Sequence, residues 1–277
     1  MVKEFNEANK YNLYRSVKDI LHPSISKKNV SNYNIIISED ILPIQVFYPK
    51  KISDIKKIII FVHGHSKVTD CVEKYADICK LISTKTGNIL IAVEYEDLKD
   101  DYKKMYQDVF DTVKYLYENL ERNNIDPKNI TLMGDSTGAN IITGINYLNE
   151  SINIEKEILF YPVLDPDYFG KTKYESMIKN NEFNLGLISN LKTYYEYIGV
   201  DDNLDDLLIN PLQVDKEVPK TLIITGRVDS LLDESIEYSK KHKNVKIVEV
   251  EFSSHGFLKS IDEDIEKEVF NNISKFL

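Results

Sequence analysis

Apolar positions along the chain follow two periodicities in turn. Lys57 to Val62, Asn88 to Val93, the run 129 to 134, Glu157 to Tyr161, Lys220 to Thr225 and Val245 to Glu251 are short and mostly apolar. Runs without polar alternation suit strands buried on both faces of a largely parallel sheet. Between them, Met105, Tyr106, Val109, Phe110, Val113, Leu116, Tyr117 and Leu120 recur at helical spacing, and Asp70 to Thr86 and Ile261 to Phe276 read as further helices. Asn34 to Ile37 and Ile44 to Tyr48, split by Ser38-Glu39-Asp40 and closed by Pro49, predict an antiparallel edge pair. Ahead of them, Phe5, Leu13, Val17, Ile20 and Leu21 sketch one amphipathic helix that His22-Pro23 would end. The pattern predicts eight strands, the last six separated by long connections. The class is therefore α/β, a doubly wound, mostly parallel sheet with helices on both faces and ligands at its C-terminal strand ends.

One connection exceeds what a crossover needs. Almost sixty residues separate Tyr161 from Lys220, and they include Tyr168, Phe169, Tyr174, Met177, Phe183, Leu185, Leu187, Ile188, Tyr194, Tyr195 and Tyr197. A segment of this length inside a compact domain is usually functional. Residues 165 to 205 read as helical cap material over the strand ends, and each aromatic either walls a pocket or only packs on the core.

Composition narrows the class. With 277 residues and no repeat or low-complexity linker, the chain reads as one domain, 1–277, whose residues 1–30 join 165–205 as cap material. A formal charge of −10 excludes nucleic acid as a partner, since polyanion binding needs clustered Lys and Arg. No apolar run approaches the ~18 to 20 residues that span a bilayer, and the polar N-terminus lacks a signal-peptide core; a cytoplasmic location is expected. Cys71 and Cys79, eight apart on one expected helix, are too far apart to pair and read as buried free thiols.

The chemistry centres on Gly134-Asp135-Ser136-Thr137-Gly138, where an apolar run passes directly into the helix-compatible run beginning at Asn140. A strand, a sharp turn and a helix put a serine hydroxyl above the sheet in a strained conformation, and glycines two residues to either side remove the collisions. Serine needs a base, and the base needs a carboxylate. Of five histidines, only His255 follows the last strand directly; His242 sits in the basic run Lys240 to Lys243 and reads as a solvated helix end. Asp229, just beyond the strand ending at Thr225, is the expected acid, with Asp233 its nearest rival and Asp233 and Glu234 read as first-turn acids of the next helix. The oxyanion would be held by main-chain amides of Thr137 and of the loop His63-Gly64-His65. A His-x-His at a strand end also begins some metal sites, but no further ligand follows at metal spacing, so no metal is expected.

Taken together, His63-Gly64, Val93-Glu94-Tyr95, Asp126-Pro127, Gly134 to Gly138, Tyr161 to Leu164, Asn210-Pro211-Leu212, Gly226 to Leu231 and His255-Gly256-Phe257 resemble the hormone-sensitive-lipase-like group of α/β-hydrolase carboxylesterases. The resemblance covers about residues 33 to 277. It implies an α/β-hydrolase fold with a helical cap, no cofactor, and Ser136, Asp229 and His255 as the catalytic triad. Gly64, His65 and Thr137 would form the oxyanion hole. The chain departs from the family where His-Gly-Gly-Gly reads His63-Gly64-His65-Ser66, and where Asp-Tyr-Arg reads Glu94-Tyr95-Glu96, without an arginine to brace the neighbouring loop. If His65 serves only through its main-chain N–H, truncating its ring should cost less than about tenfold in rate, whereas proline, which removes a donor, should cost about 10² to 10³ or more.

The expected function is hydrolysis of small, short-acyl carboxylic esters through an acyl-enzyme. Amidase, formamidase or peptidase activity would use the same triad. A non-catalytic small-molecule-binding protein on this fold, as in the plant gibberellin receptors, is disfavoured by the retained His255. The expected partner is an ester substrate, with a homodimer as the candidate assembly.

Overall fold

The computed structural model describes residues 17–23, 34–35, 42–52, 56–65, 72–148, 151–166, 174–200 and 206–277. Eight strands stand among them: β1 (Asn34–Ile35), β2 (Ile44–Phe47), β3 (Ile58–Val62), β4 (Ile89–Val93), β5 (Ile130–Asp135), β6 (Lys156–Phe160), β7 (Lys220–Gly226) and β8 (Val245–Val250). They form one sheet in the order β1-β2-β4-β3-β5-β6-β7-β8. β1 and β2 are antiparallel, as the turn between them predicted, and every pairing from β4 to β8 is parallel. This is the α/β-hydrolase fold.

Alternation within β3 explains the layers. Ile58, Ile60 and Val62 join one core while Ile59 and Phe61 join the other, and all five are fully buried. At ~1.5–3 kcal/mol per large buried side chain, such a strand must have helices on both faces. On the first face lie α1 (Val17–Leu21), α3 (Tyr102–Arg122) and α4 (Ser136–Leu148); on the second, α2 (Val72–Thr86) and α8 (Glu263–Phe276). The helix start of α3 is fixed by Asp101, whose side chain accepts the Lys104 N–H, and that of α8 by Asp262, which accepts from Asp264 and Ile265.

α1 ends at Leu21 as His22-Pro23 predicted, with Val17, Ile20 and Leu21 buried. The remainder of the expected N-terminal cap, residues 1–16 and 24–30, lies outside the described residues, as does Cys71. Cys79 is buried and free, and burial pushes its thiol pKa well up, away from nucleophilic use. In the long connection, α5 (Glu175–Lys179) and α6 (Leu187–Tyr197) are helical. Tyr174, Tyr194 and Tyr195 pack into the core, whereas Phe183 and Leu185 are exposed. His242 is not solvated as expected: at the end of α7 (Leu232–Lys241) it is buried, its ring 4.5 Å from that of Tyr238. Asp233 and Glu234 lie in the first turn of α7, as expected, and Glu234 has a further role. It is fully buried, and its Oε2 accepts the N–H groups of Leu164 and Asp165.

Strand order locates a crevice. The chain moves from β3 to β4 in one direction, then returns past β3 to place β5 on its other side. The C-terminal ends of β3 and β5 thus flank a topological switch point, where connections diverge and a ligand finds room.

Candidate active site

Ser136 stands at this switch point, immediately after β5 and at the first position of α4. Its φ is +51°, a left-handed conformation that non-glycine residues adopt at a cost of order 1–3 kcal/mol. Tight packing enforces it. A Cβ on Gly138 would lie 2.4 Å from the carbonyl oxygens of both Val62 and His63, and one on Gly134 would lie 2.8 Å from the Val62 carbonyl oxygen. The glycines let β3, β5 and α4 close around the serine.

The structure brings together three residues that the sequence separates widely. Ser136 Oγ lies 2.9 Å from His255 Nε2, and His255 Nδ1 lies 3.1 and 3.3 Å from the two carboxylate oxygens of Asp229. Asp229 is fully buried, and its Oδ1 also accepts the Leu231 N–H at 2.8 Å. A carboxylate can only accept, so Nδ1 carries the imidazole proton and Nε2 presents its lone pair to the serine hydroxyl. Asp233 is not in this group; its Oδ2 accepts the Ser176 N–H at 2.8 Å. Beneath the imidazole lies Tyr161, its ring centroid 4.9 Å from that of His255 and its backbone at φ +35°.

The three expected oxyanion donors fare differently. The Gly64 N–H points to Asp135 Oδ1 at 2.8 Å, and this carboxylate, 1% exposed, also accepts from Tyr75 and Tyr161 hydroxyls at 3.1 and 3.2 Å. Burial raises the Asp135 pKa, opposed by the Gly64 hydrogen bond and the Lys259 charge. The Gly64 amide thus anchors its loop to β5. The His65 N–H meets the Thr137 hydroxyl at 2.8 Å. Thr137 itself lies in the first turn of α4, where main-chain N–H groups have no partner within the helix.

The His65 imidazole has a place the sequence did not reveal. It is buried, with Nδ1 2.9 Å from the Tyr95 hydroxyl and 3.4 Å from Asp97 Oδ1. Tyr95 donates its proton to the His63 carbonyl at 2.5 Å, so its oxygen accepts from His65, whose Nδ1 is thereby protonated. The His63 ring stacks on Tyr95 at 4.7 Å, and Tyr194 of α6 lies parallel to His65 at 6.3 Å. Residues 63–65 are thus braced against residues 95–97 where the family arginine is missing. Among the described residues, no three His, Cys, Asp or Glu side chains gather as a metal site.

Four contributors escaped the sequence reading: Tyr75, Asp97, Asp135 and Tyr161. Asp135 and Tyr161 sit inside quoted motifs, so their positions were visible although their bonds were not.

Comparisons with known proteins agree with this fold. A family model described as alpha/beta hydrolase fold matches residues 59–259. The vegetative-specific protein H5 of Dictyostelium discoideum is 25% identical over 94% of this chain and 85% of its own. Neutral cholesterol ester hydrolase 1 of Rattus norvegicus is 24% identical over 75% of this chain and 69% of its own. The solved structure of the Francisella virulence factor BioJ superposes with a TM-score of 0.76 at 26% identity, covering 87% of this chain and 82% of that one.

Proposed function

Because the chain belongs to the alpha/beta hydrolase fold family, we propose that it is a carboxylesterase-type serine hydrolase acting on small, short-acyl esters. One observation carries the reading: Ser136 Oγ, His255 and Asp229 form a continuous hydrogen-bonded series at the strand ends, with the imidazole in the tautomer a general base requires. His255 Nε2 takes the hydroxyl proton as Ser136 Oγ attacks the ester carbonyl. The same nitrogen then protonates the departing alkoxide and afterwards activates water against the acyl-enzyme. Asp229 holds the tautomer and stabilises the imidazolium.

The amides of His65 and Thr137 hold the oxyanion. His65 remains eligible where Gly64 does not, because its partner is a neutral hydroxyl on a side chain with two helical rotamers, whereas that of Gly64 is a buried carboxylate held by three donors. The cholesterol ester hydrolase among the relatives supports ester chemistry.

A fluorophosphonate probe should modify Ser136 covalently, and p-nitrophenyl esters of short acyl chains should turn over faster than the matching anilides. Ser136→Ala should abolish both labelling and turnover, and dialysis against a chelator should change neither. A Ser136→Ala protein with full activity would overturn the proposal; faster anilide cleavage would make the chain an amidase.

A further inference from the structure

Residues 174–184 are fastened to the loops after β7 and β8 and to the start of α7 by side-chain hydrogen bonds. At one end, the Ser176 N–H donates to Asp233 Oδ2 at 2.8 Å and its hydroxyl to the Ser230 carbonyl at 2.9 Å, while the Asp233 N–H returns to Ser176 Oγ at 3.3 Å. At the other, Asn180 Nδ2 donates to the Asp229 carbonyl at 2.9 Å. Asn184 then reaches three main-chain groups. Its Oδ1 accepts the His255 N–H at 2.9 Å, and its Nδ2 donates to the carbonyls of Val228 at 2.7 Å and Asn180 at 2.8 Å. The amide can point only one way, because a main-chain N–H must face the oxygen and two carbonyls must face the nitrogen.

The loop that carries His255 needs such a hold. Phe252 and Gly256, on either side of the histidine, both have left-handed backbones, at φ +52° and +76°, and Phe252 is 92% exposed. Nothing about β8 alone sets the height of the imidazole. A link between the two loops, the Val228 N–H to the Ser253 carbonyl at 3.1 Å, stops two residues short of His255. Asn184, 7% exposed, bonds the histidine's own amide and the carbonyl of the residue preceding Asp229 with one planar group.

We propose that Asn184 is a positioning residue for His255, through which the cap segment 174–184 fixes the imidazole against Ser136 and Asp229. This rests on the triad reading above. Among the described residues, the groups that face the imidazole are Ser136, the Asp229 carboxylate and the Tyr161 ring. Asn184 touches none of the reacting atoms and acts through the backbone of its neighbour.

The test uses the full chain, a short p-nitrophenyl ester, the fluorophosphonate probe and thermal melts. In Asn184→Ala, kcat should fall about 10²-fold, the loss expected of a misplacement near 1 Å, with KM changed less than about threefold. The acid limb of the kcat/KM profile should move to lower pH, since a looser carboxylate contact stabilises the imidazolium less. Asn184→Asp keeps the size and the oxygen facing the His255 N–H, so it serves if the alanine variant fails to fold. Its added negative charge should move the acid limb to higher pH, and its carboxylate, turned against two carbonyls, should still lower kcat. Wild-type kcat and an unmoved acid limb in a folded variant would overturn the assignment. So would a lowered melting temperature with unaltered kinetics, since that marks a purely structural role. Failure of the triad reading looks different: the wild type would then take no probe and turn over no ester.

Discussion

Replacing Asp229 by asparagine should cost this protein on the order of 10⁴-fold in kcat, and the structure says why the amide cannot adapt. Asp229 Oδ1 accepts the Leu231 N–H at 2.8 Å. In Asp229→Asn, that N–H keeps the amide oxygen and so turns the NH₂ group into the Oδ2 position, 3.1 Å from His255 Nδ1. A donor now faces Nδ1, which answers with its lone pair, and the proton moves to Nε2, where it faces the Ser136 hydroxyl and blocks proton abstraction. Four powers of ten correspond to about 5.5 kcal/mol of transition-state stabilisation. Asp233→Asn is the control. It weakens a half-buried hydrogen bond to the Ser176 N–H and should stay within about tenfold. Initial rates on a short p-nitrophenyl ester, with circular dichroism to establish folding, decide the matter. Equal and modest losses in the two variants would refute the tautomer argument and remove Asp229 from the triad.

Two further outcomes follow from the oxyanion loop. His65→Ala removes the ring that Tyr95 and Asp97 share, a loss of about 1.5–3 kcal/mol for a hydrogen bond involving a charged group. Thermal melts should therefore drop by several degrees and kcat should fall more than tenfold, exceeding the loss the sequence alone suggests, while His65→Pro should be inactive; a full-rate His65→Ala protein with unaltered melting would show that the brace is idle. Thr137→Val keeps the volume but removes the hydroxyl from the His65 N–H, so KM for a short ester should fall while kcat does not rise, and an unchanged KM would mean that this amide never meets substrate.

Much of the site was legible because its parts are local to strand ends. A buried β-branched run announces a strand, and the residue after it announces a position at the rim; Ser136, Asp229 and His255 follow from that rule and from chain order. His242 broke a related rule, since a histidine among lysines looks solvated until Tyr238, one helical turn earlier, is seen to cover it. The partner of the Gly64 amide was not legible, because main-chain donors look alike in a sequence and only the fold shows that the Asp135 carboxylate lies beneath this one. Asn184 and Asp97 were invisible for a deeper reason. Their partners are backbone atoms or side chains brought near by the sheet order, at separations of 71 residues for Asn184 and His255, and no periodicity records such a meeting.

On the oxyanion role proposed for the His65 amide, its hydrogen bond to Thr137 would make the resting site selective in time as well as in shape. A main-chain donor left bare in a dry pocket would carry a desolvation penalty, and the hydroxyl spares the free protein that penalty by acting as a stand-in for the oxygen to come. Any substrate must then compete with a guest already seated. A neutral ester carbonyl offers a hydrogen bond no better than the one it would displace, whereas the anionic oxygen of the tetrahedral intermediate offers one roughly twice as strong. The threonine would thus withhold the donor from the ground state and yield it as charge develops, so that binding energy would appear where it lowers the barrier rather than where it deepens the well.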